Sequence, residues 1–229
     1  VSNSHIKLLD WFYGNLEIIP DPTYYWRCNE SSGDLIDSQG VLDVPEVGTV
    51  PQTTPGWRGV FSLSNYFRLN TLPDEKLNIN NNPYFLFSMQ MKTVSTNDNI
   101  YDKEDGLQIA TATFSDGDGG YIGTVQVKFG DSNKLEGISE IQDGTKHWVQ
   151  IGTIAGSTEV RLYIDGVHEA TAVNDAPSSQ VDALTIGVAT PGNSEAFNGE
   201  VNEIFYVHEH SVTDWNVIEV AFSALRAKT

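Results

Sequence analysis

The sequence predicts an all-β chain, an antiparallel sandwich or barrel with one short C-terminal helix. Three observations carry this: short strands with period-two alternation, turn chemistry between them, and a single apolar stripe at helical spacing near the C-terminus.

Tyr24 to Arg27 reads as the first strand, and Tyr66 to Leu69 follows after Ser64-Asn65. Tyr84 to Val94 is the clearest. There Phe85, Phe87, Met89 and Met91 alternate with Leu86, Ser88, Gln90 and Lys92, which turns one face to a core and the other to solvent or a second layer. Similar runs cover Leu107–Phe114, Tyr121–Phe129, His147–Ile154, Glu159–Asp165, Ala183–Val188 and Glu200–His208. The separators are turn residues: Asp116-Gly117-Asp118-Gly119-Gly120, Asp143-Gly144, Asp165-Gly166 and Pro191-Gly192-Asn193. Glycine accepts positive φ there at little cost.

Ser211-Val212-Thr213-Asp214 fits a capping box, and Trp215, Ile218, Phe222 and Leu225 then recur at three- and four-residue steps, a stripe suited to lie on the sandwich. Ahead of the sandwich domain, residues 20–229, stands a segment of residues 1–19. It is rich in apolar side chains: Ile6, Leu8, Leu9, Trp11, Phe12 and Tyr13. It folds back on the domain or serves as an arm that docks onto a larger assembly.

Thirteen basic residues against 31 acidic give a formal charge of −18 in 229 residues. That field opposes nucleic acid and anionic membranes as partners. No apolar run reaches the ~18 residues that span a bilayer. The N-terminus lacks the layout of a signal peptide, as a processed chain also would. The lone cysteine, Cys28, excludes an internal disulfide framework and reads as a core residue. A single sequon, Asn29-Glu30-Ser31, matters only in a glycosylating secretory pathway.

Three ordered segments resemble the laminin G-like jelly-roll family: YYWRCNESSGDLIDSQG (Tyr24–Gly40), DGTKHWVQIG through EVRLYIDGV (Asp143–Val167), and FNGEVNEIFYVHEHSVTDWNVIEVAF (Phe197–Phe222). The resemblance implies a two-sheet antiparallel jelly-roll sandwich of concanavalin A-like form. It also implies Trp148 as core volume, Asp165-Gly166 as a tight hairpin turn and Gly199 as a point of close backbone approach. In relatives that bind calcium, carboxylates near two of these positions help to hold the ion. Here amides replace them, leaving Asn65 and Asn202 as candidate ligands with less charge to offer a hard cation. Calcium is therefore a candidate cofactor, though none is required.

Catalytic patterns are weak. Sandwich glycosidases of the retaining type need two carboxyl groups about 5 Å apart, and no Glu-x-Asp-x-x-Glu is present. Glu200-Val201-Asn202-Glu203 comes nearest, but strand alternation sends Glu200 and Glu203 to opposite faces and Asn202 cannot move a proton. There is no nucleophile elbow, phosphate loop or dinucleotide fingerprint. His208-x-His210 offers two imidazoles without a third ligand, and His147 reads as a packing or surface residue. Two loops concentrate carboxylates, Asp98–Asp105 and Asp116–Asp118. Asp116 and Asp118 are candidate calcium ligands against the alternative of solvated turns.

The sequence thus predicts a non-enzyme that binds. One function is carbohydrate or glycoconjugate binding, with Trp57, Tyr66, Tyr101 and Tyr121 as loop aromatics covering sugar faces and Asn78–Asn82 supplying amides. The other is structural: a virion-surface component that contacts capsid or tail proteins, or copies of itself, as phage proteins of this family do. Either role implies a virion-surface or extracellular setting.

Overall fold

The computed structural model of the chain describes residues 22–70, 84–95, 98–103, 107–115, 121–129, 133–173, 183–188 and 196–226. The segment of residues 1–19, Asn78–Asn82, Asp116, Asp118 and the Pro191-Gly192-Asn193 turn lie outside these residues.

The elements run β1 (Tyr24–Trp26), β2 (Glu46–Val47), β3 (Gln52–Thr54), β4 (Trp57–Gly59), β5 (Tyr66–Leu69), β6 (Phe85–Thr93), β7 (Asn99–Lys103) and β8 (Leu107–Ser115). Then follow β9 (Tyr121–Phe129), β10 (Asn133–Glu136), β11 (His147–Thr153), β12 (Glu159–Ile164), β13 (Val167–Val173), β14 (Leu184–Ile186), β15 (Gly199–His208) and α1 (Trp215–Arg226). They form two antiparallel sheets of a jelly-roll sandwich. The first has the order β13-β12-β11-β6-β15-β4-β3, with β1 also beside β15; the second is β10-β9-β8-β7-β14-β5-β2.

Alternation along β6 sorts the chain into two cores. Phe85, Phe87, Met89 and Met91 face the second sheet and are fully buried with Ile109, Val127, Ile151 and Ile204. Leu86, on the opposite face, joins Tyr25, Trp148, Tyr163 and Phe205 beneath Ile218, Ala221, Phe222 and Leu225 of α1. The expected helical stripe is therefore the covering layer of the first sheet. Gly152 leaves room for Leu86 beneath the helix, since a Cβ there would lie 2.9 Å from Leu86 Cδ2. Trp148 supplies core volume as expected, but in this outer layer rather than between the sheets.

Asp165 and Gly166 have φ of 52° and 76°, and Ile164 pairs with Val167. This is a two-residue hairpin with both central φ values positive, which Asp-Gly favours. The helix begins three residues later than a capping box with Ser211 as its cap implies. Asp214 is itself the cap, its Oδ1 accepting the Asn216 backbone N–H at 2.9 Å, because the chain enters the first turn only at Trp215.

Two expectations about loops are corrected. The acidic stretch Asp98–Asp105 contains β7, an interior strand of the second sheet between β8 and β14. Of the four candidate aromatics, Trp57 in β4 and Tyr101 in β7 lie in strands that the sequence reading left as loops, while Tyr66 and Tyr121 open β5 and β9, the strands assigned to them.

Candidate functional site

A β-bulge shapes the first sheet. Val201 pairs with Met91 and Ile204 with Met89, so Asn202 and Glu203 together face the single residue Gln90. The extra residue resets the alternation. Asn202 Nδ2 donates to Gln90 Oε1 at 2.6 Å on the outer face, and the Glu203 carboxylate meets the hydroxyl of Tyr25, a member of the outer core. Glu200 lies on that face too, paired with Lys92 at 2.7 Å. The expectation that Glu200 and Glu203 face opposite sides is therefore wrong. Both carboxylates are engaged, one by an ammonium and one by a phenol.

At this end of the first sheet a cleft of about 400 Å³ opens. Its walls come from Thr53 of β3, Val60 and Phe61 after β4, Lys92 to Val94 at the end of β6, Gly144, and Phe197 to Glu200. The back is braced by polar contacts. Thr93 Oγ1 donates to Asn198 O at 2.8 Å, Gly144 N donates to Thr93 O at 3.0 Å, and Asn198 N donates to Asp98 Oδ2 at 2.9 Å. Gly199 sits so close that a Cβ would meet Lys92 O at 2.5 Å, the close approach the sequence implied.

The rim is apolar and exposed. Val94 is 68% and Val60 63% accessible. Val60 also has φ of +62°, a conformation that a β-branched residue rarely adopts. Beside the cleft, Trp57 is buried to 5% exposure, and Lys92 Nζ and Lys146 Nζ each lie 5.5 Å from its ring centre. Trp57 is thus a support for two ammoniums and not an open sugar platform.

The other candidates are scattered. Tyr101 is 2% exposed and packs edge-on against Phe87 at 4.8 Å between the sheets, as a core residue. Tyr66 is half-buried in β5, which pairs with β2. Tyr121 starts β9, away from the cleft-lining residues in sequence and sheet. Asn65 Oδ1 accepts Thr49 N at 3.1 Å, whereas Asn202 approaches Gly56 in the turn after β3. Each amide is already engaged by the chain, Asn65 by the Thr49 N–H and Asn202 by Gln90. His208 is half-buried near the end of β15, and His210 is buried beyond it. Burial holds the His210 imidazole below its ordinary value. Among the described residues no three His, Cys, Asp or Glu side chains converge as a metal site would need.

His147, by contrast, is fixed between two carboxylates. Its Nδ1 lies 2.9 Å from Asp165 Oδ2 and its Nε2 3.1 Å from Asp143 Oδ1. The Asp165 bond, opposed by partial burial and helped by Asp143, raises its pKa. For Asp165, burial works against the charge, but His147 and the Trp148 N–H outweigh it and hold the carboxyl below its ordinary value. This clamp was missed because Asp165 is 18 residues from His147 and reaches it only through the β11–β12 pairing, while Asp143, four residues away, completes it locally.

Cys28 is fully buried at φ of 52°, and burial pushes its thiol up, which leaves it unreactive. No helix of the described residues is long and apolar enough to cross a membrane.

No protein-family model matches the chain, and no curated protein matches its sequence. Solved structures match its fold. Domain 4 of AbnA, a GH43 extracellular arabinanase from Geobacillus stearothermophilus in complex with arabinotriose, superposes with a TM-score of 0.61 at 18% identity, covering 90% of this chain and 98% of that one. The receptor binding domain of botulinum neurotoxin C/D mosaic serotype gives 0.63 at 12% identity over 89% of this chain and 51% of that one. A sialidase of Trypanosoma rangeli gives 0.61 at 11% identity, over 92% and 34%. The chain thus spans about half of the toxin structure and about a third of the sialidase. At such identities the likeness is one of fold.

Proposed function

We propose that this chain is a non-catalytic carbohydrate-binding module and that the cleft at the bulged end of the first sheet is its sugar site. The observation that supports this most is Val60. Its side chain is held exposed on the cleft rim in a left-handed conformation that costs free energy, and such strain collects where a surface is pre-shaped for a ligand. Val60 and Val94 offer an apolar strip for the C–H face of a sugar ring, and Thr53, Asn198, Lys92 and Glu200 offer partners for its hydroxyls. Two fold neighbours add support: the arabinanase domain was solved with arabinotriose, and a botulinum neurotoxin type C structure describes interaction with two ganglioside molecules. An extracellular setting belongs to the same reading, as the arabinanase is an extracellular enzyme. The non-catalytic part rests on Glu200 and Glu203, each already tied to a partner.

A glycan array with and without a calcium chelator tests the proposal, followed by titration of Val94→Asp. The exposed position lets the variant fold, and a charge in the apolar strip is expected to weaken binding about tenfold, roughly 1.4 kcal/mol. Silence across neutral and acidic glycans would sink the reading. Release of reducing ends from a bound polysaccharide would remove its non-catalytic part.

A further inference from the structure

On the reading that the cleft binds sugar, we infer that its ligand carries a carboxylate, as uronic and sialic acids do, and that Lys146 recognises it from the surface of Trp57. The chain has 13 basic against 31 acidic residues, yet two of those lysines share one indole ring beside one cleft. Aromatic contact holds a lysine head in place without neutralising it, because the ring contributes only the negative lobe of a quadrupole. Glu200 neutralises Lys92 at 2.7 Å. Lys146 is exposed, and among the described residues no carboxylate lies within ion-pair range of it. The nearest acid in sequence, Asp143, is bound to Thr145 and His147. One positive charge is therefore left over on the buried ring that it shares with the cleft-lining Lys92, in a strongly anionic protein.

A neutral sugar would leave that charge unused. A carboxylated one would pair with it through a charge-assisted hydrogen bond, which is shorter and about twice as strong as a neutral one. The surrounding anionic field repels such a ligand at long range, so selectivity is set at contact, within a Debye length of about 8 Å at physiological salt.

The test is calorimetric titration of the full chain with an oligogalacturonide, its methyl ester, sialyllactose and lactose, for wild type and Lys146→Gln. At least one acid is expected to bind about tenfold more tightly than its neutral counterpart. Lys146→Gln is expected to erase that ratio and leave the thermal midpoint unchanged. Which acid binds identifies the source of the carboxylate. Equal binding of acid and neutral forms, or a ratio that survives Lys146→Gln, overturns the inference while the sugar-binding reading stands. Failure of all four ligands overturns the inference and counts against that reading too.

Discussion

The guanidinium of Arg58 lies 2.7 Å from the carboxylate of Glu46, and the arginine side chain is fully buried. Its Nε donates to Val50 O at 2.7 Å and its Nη2 to Gly33 O at 3.0 Å, while its plane rests over Phe67 at 4.9 Å. Glu46 in turn accepts Val50 N at 2.6 Å and Gly33 N at 3.0 Å. One ion pair thus ties two loops to the end of the core. Removing Glu46 would leave a buried cation short of its counter-charge. Glu46→Ala is expected to cost about 3–5 kcal/mol in urea unfolding. Arg58→Met with Glu46→Gln should cost less than the two single changes added together. Additive losses would show that the pair is not coupled.

Asp37 supports the neighbouring turn in the same manner. Its two oxygens accept four backbone N–H groups, from Tyr25 at 2.8 Å, Gln39 at 3.0 Å, Val41 at 3.1 Å and Leu42 at 3.0 Å, and it is 2% exposed. Asparagine keeps one acceptor and brings an NH2 against N–H donors. Asp37→Asn is expected to lower stability by about 3 kcal/mol, since hydrogen bonds to a charged group contribute roughly 1.5–3 kcal/mol each. A loss below about 1 kcal/mol, smaller than one such bond, would mean that the turn holds without the carboxylate.

The sheets were legible because alternation is a local signal. Phe85 to Lys92 can be assigned to two faces from the sequence alone, and the outer core under α1 is the second layer that Leu86 called for. The Asp-Gly hairpin was equally local. The cleft was not. The bulge at Asn202 and Glu203 has no residue signature, and one extra residue inverts every facing assignment before it. Tyr101 was expected on a loop because the surrounding Asp and Glu read as one, whereas pairing with β8 and β14 makes the stretch an interior strand. Val60 was invisible because no pattern predicts a valine at positive φ.

His147 predicts a pH dependence. Its folded pKa is raised, so its contribution is complete below the unfolded value, about 6.5, and is lost as pH rises through the folded one. Asp165 and Asp143 are lowered, so their contributions hold above the unfolded value and fade as pH falls through the folded one. The clamp is therefore strongest between the ordinary carboxylate and histidine values. His210 acts in the opposite sense: its lowered pKa costs stability as pH falls below the histidine value. The difference between wild type and His147→Gln isolates the clamp. That difference in urea midpoint should be larger at mildly acidic pH than at alkaline pH, and a constant difference would dismiss a charged His147.

Val60 couples stability to binding in a way one substitution can separate. A left-handed conformation costs an L-residue about 1–2 kcal/mol, and glycine avoids this at an entropic cost of about 0.5–1 kcal/mol. Val60 is mostly exposed, so little packing is lost with its side chain. Val60→Gly is therefore expected to raise stability by about 0.5–1 kcal/mol, read as a higher thermal midpoint. It should also weaken glycan binding, because half of the apolar strip disappears and the rim loosens. Val60→Thr keeps the branched shape and the strain, so it should not gain the stability. A stabilised Val60→Gly that binds as tightly as wild type would mean that the strained valine serves no ligand, and a destabilised one would mean that its φ is held without strain.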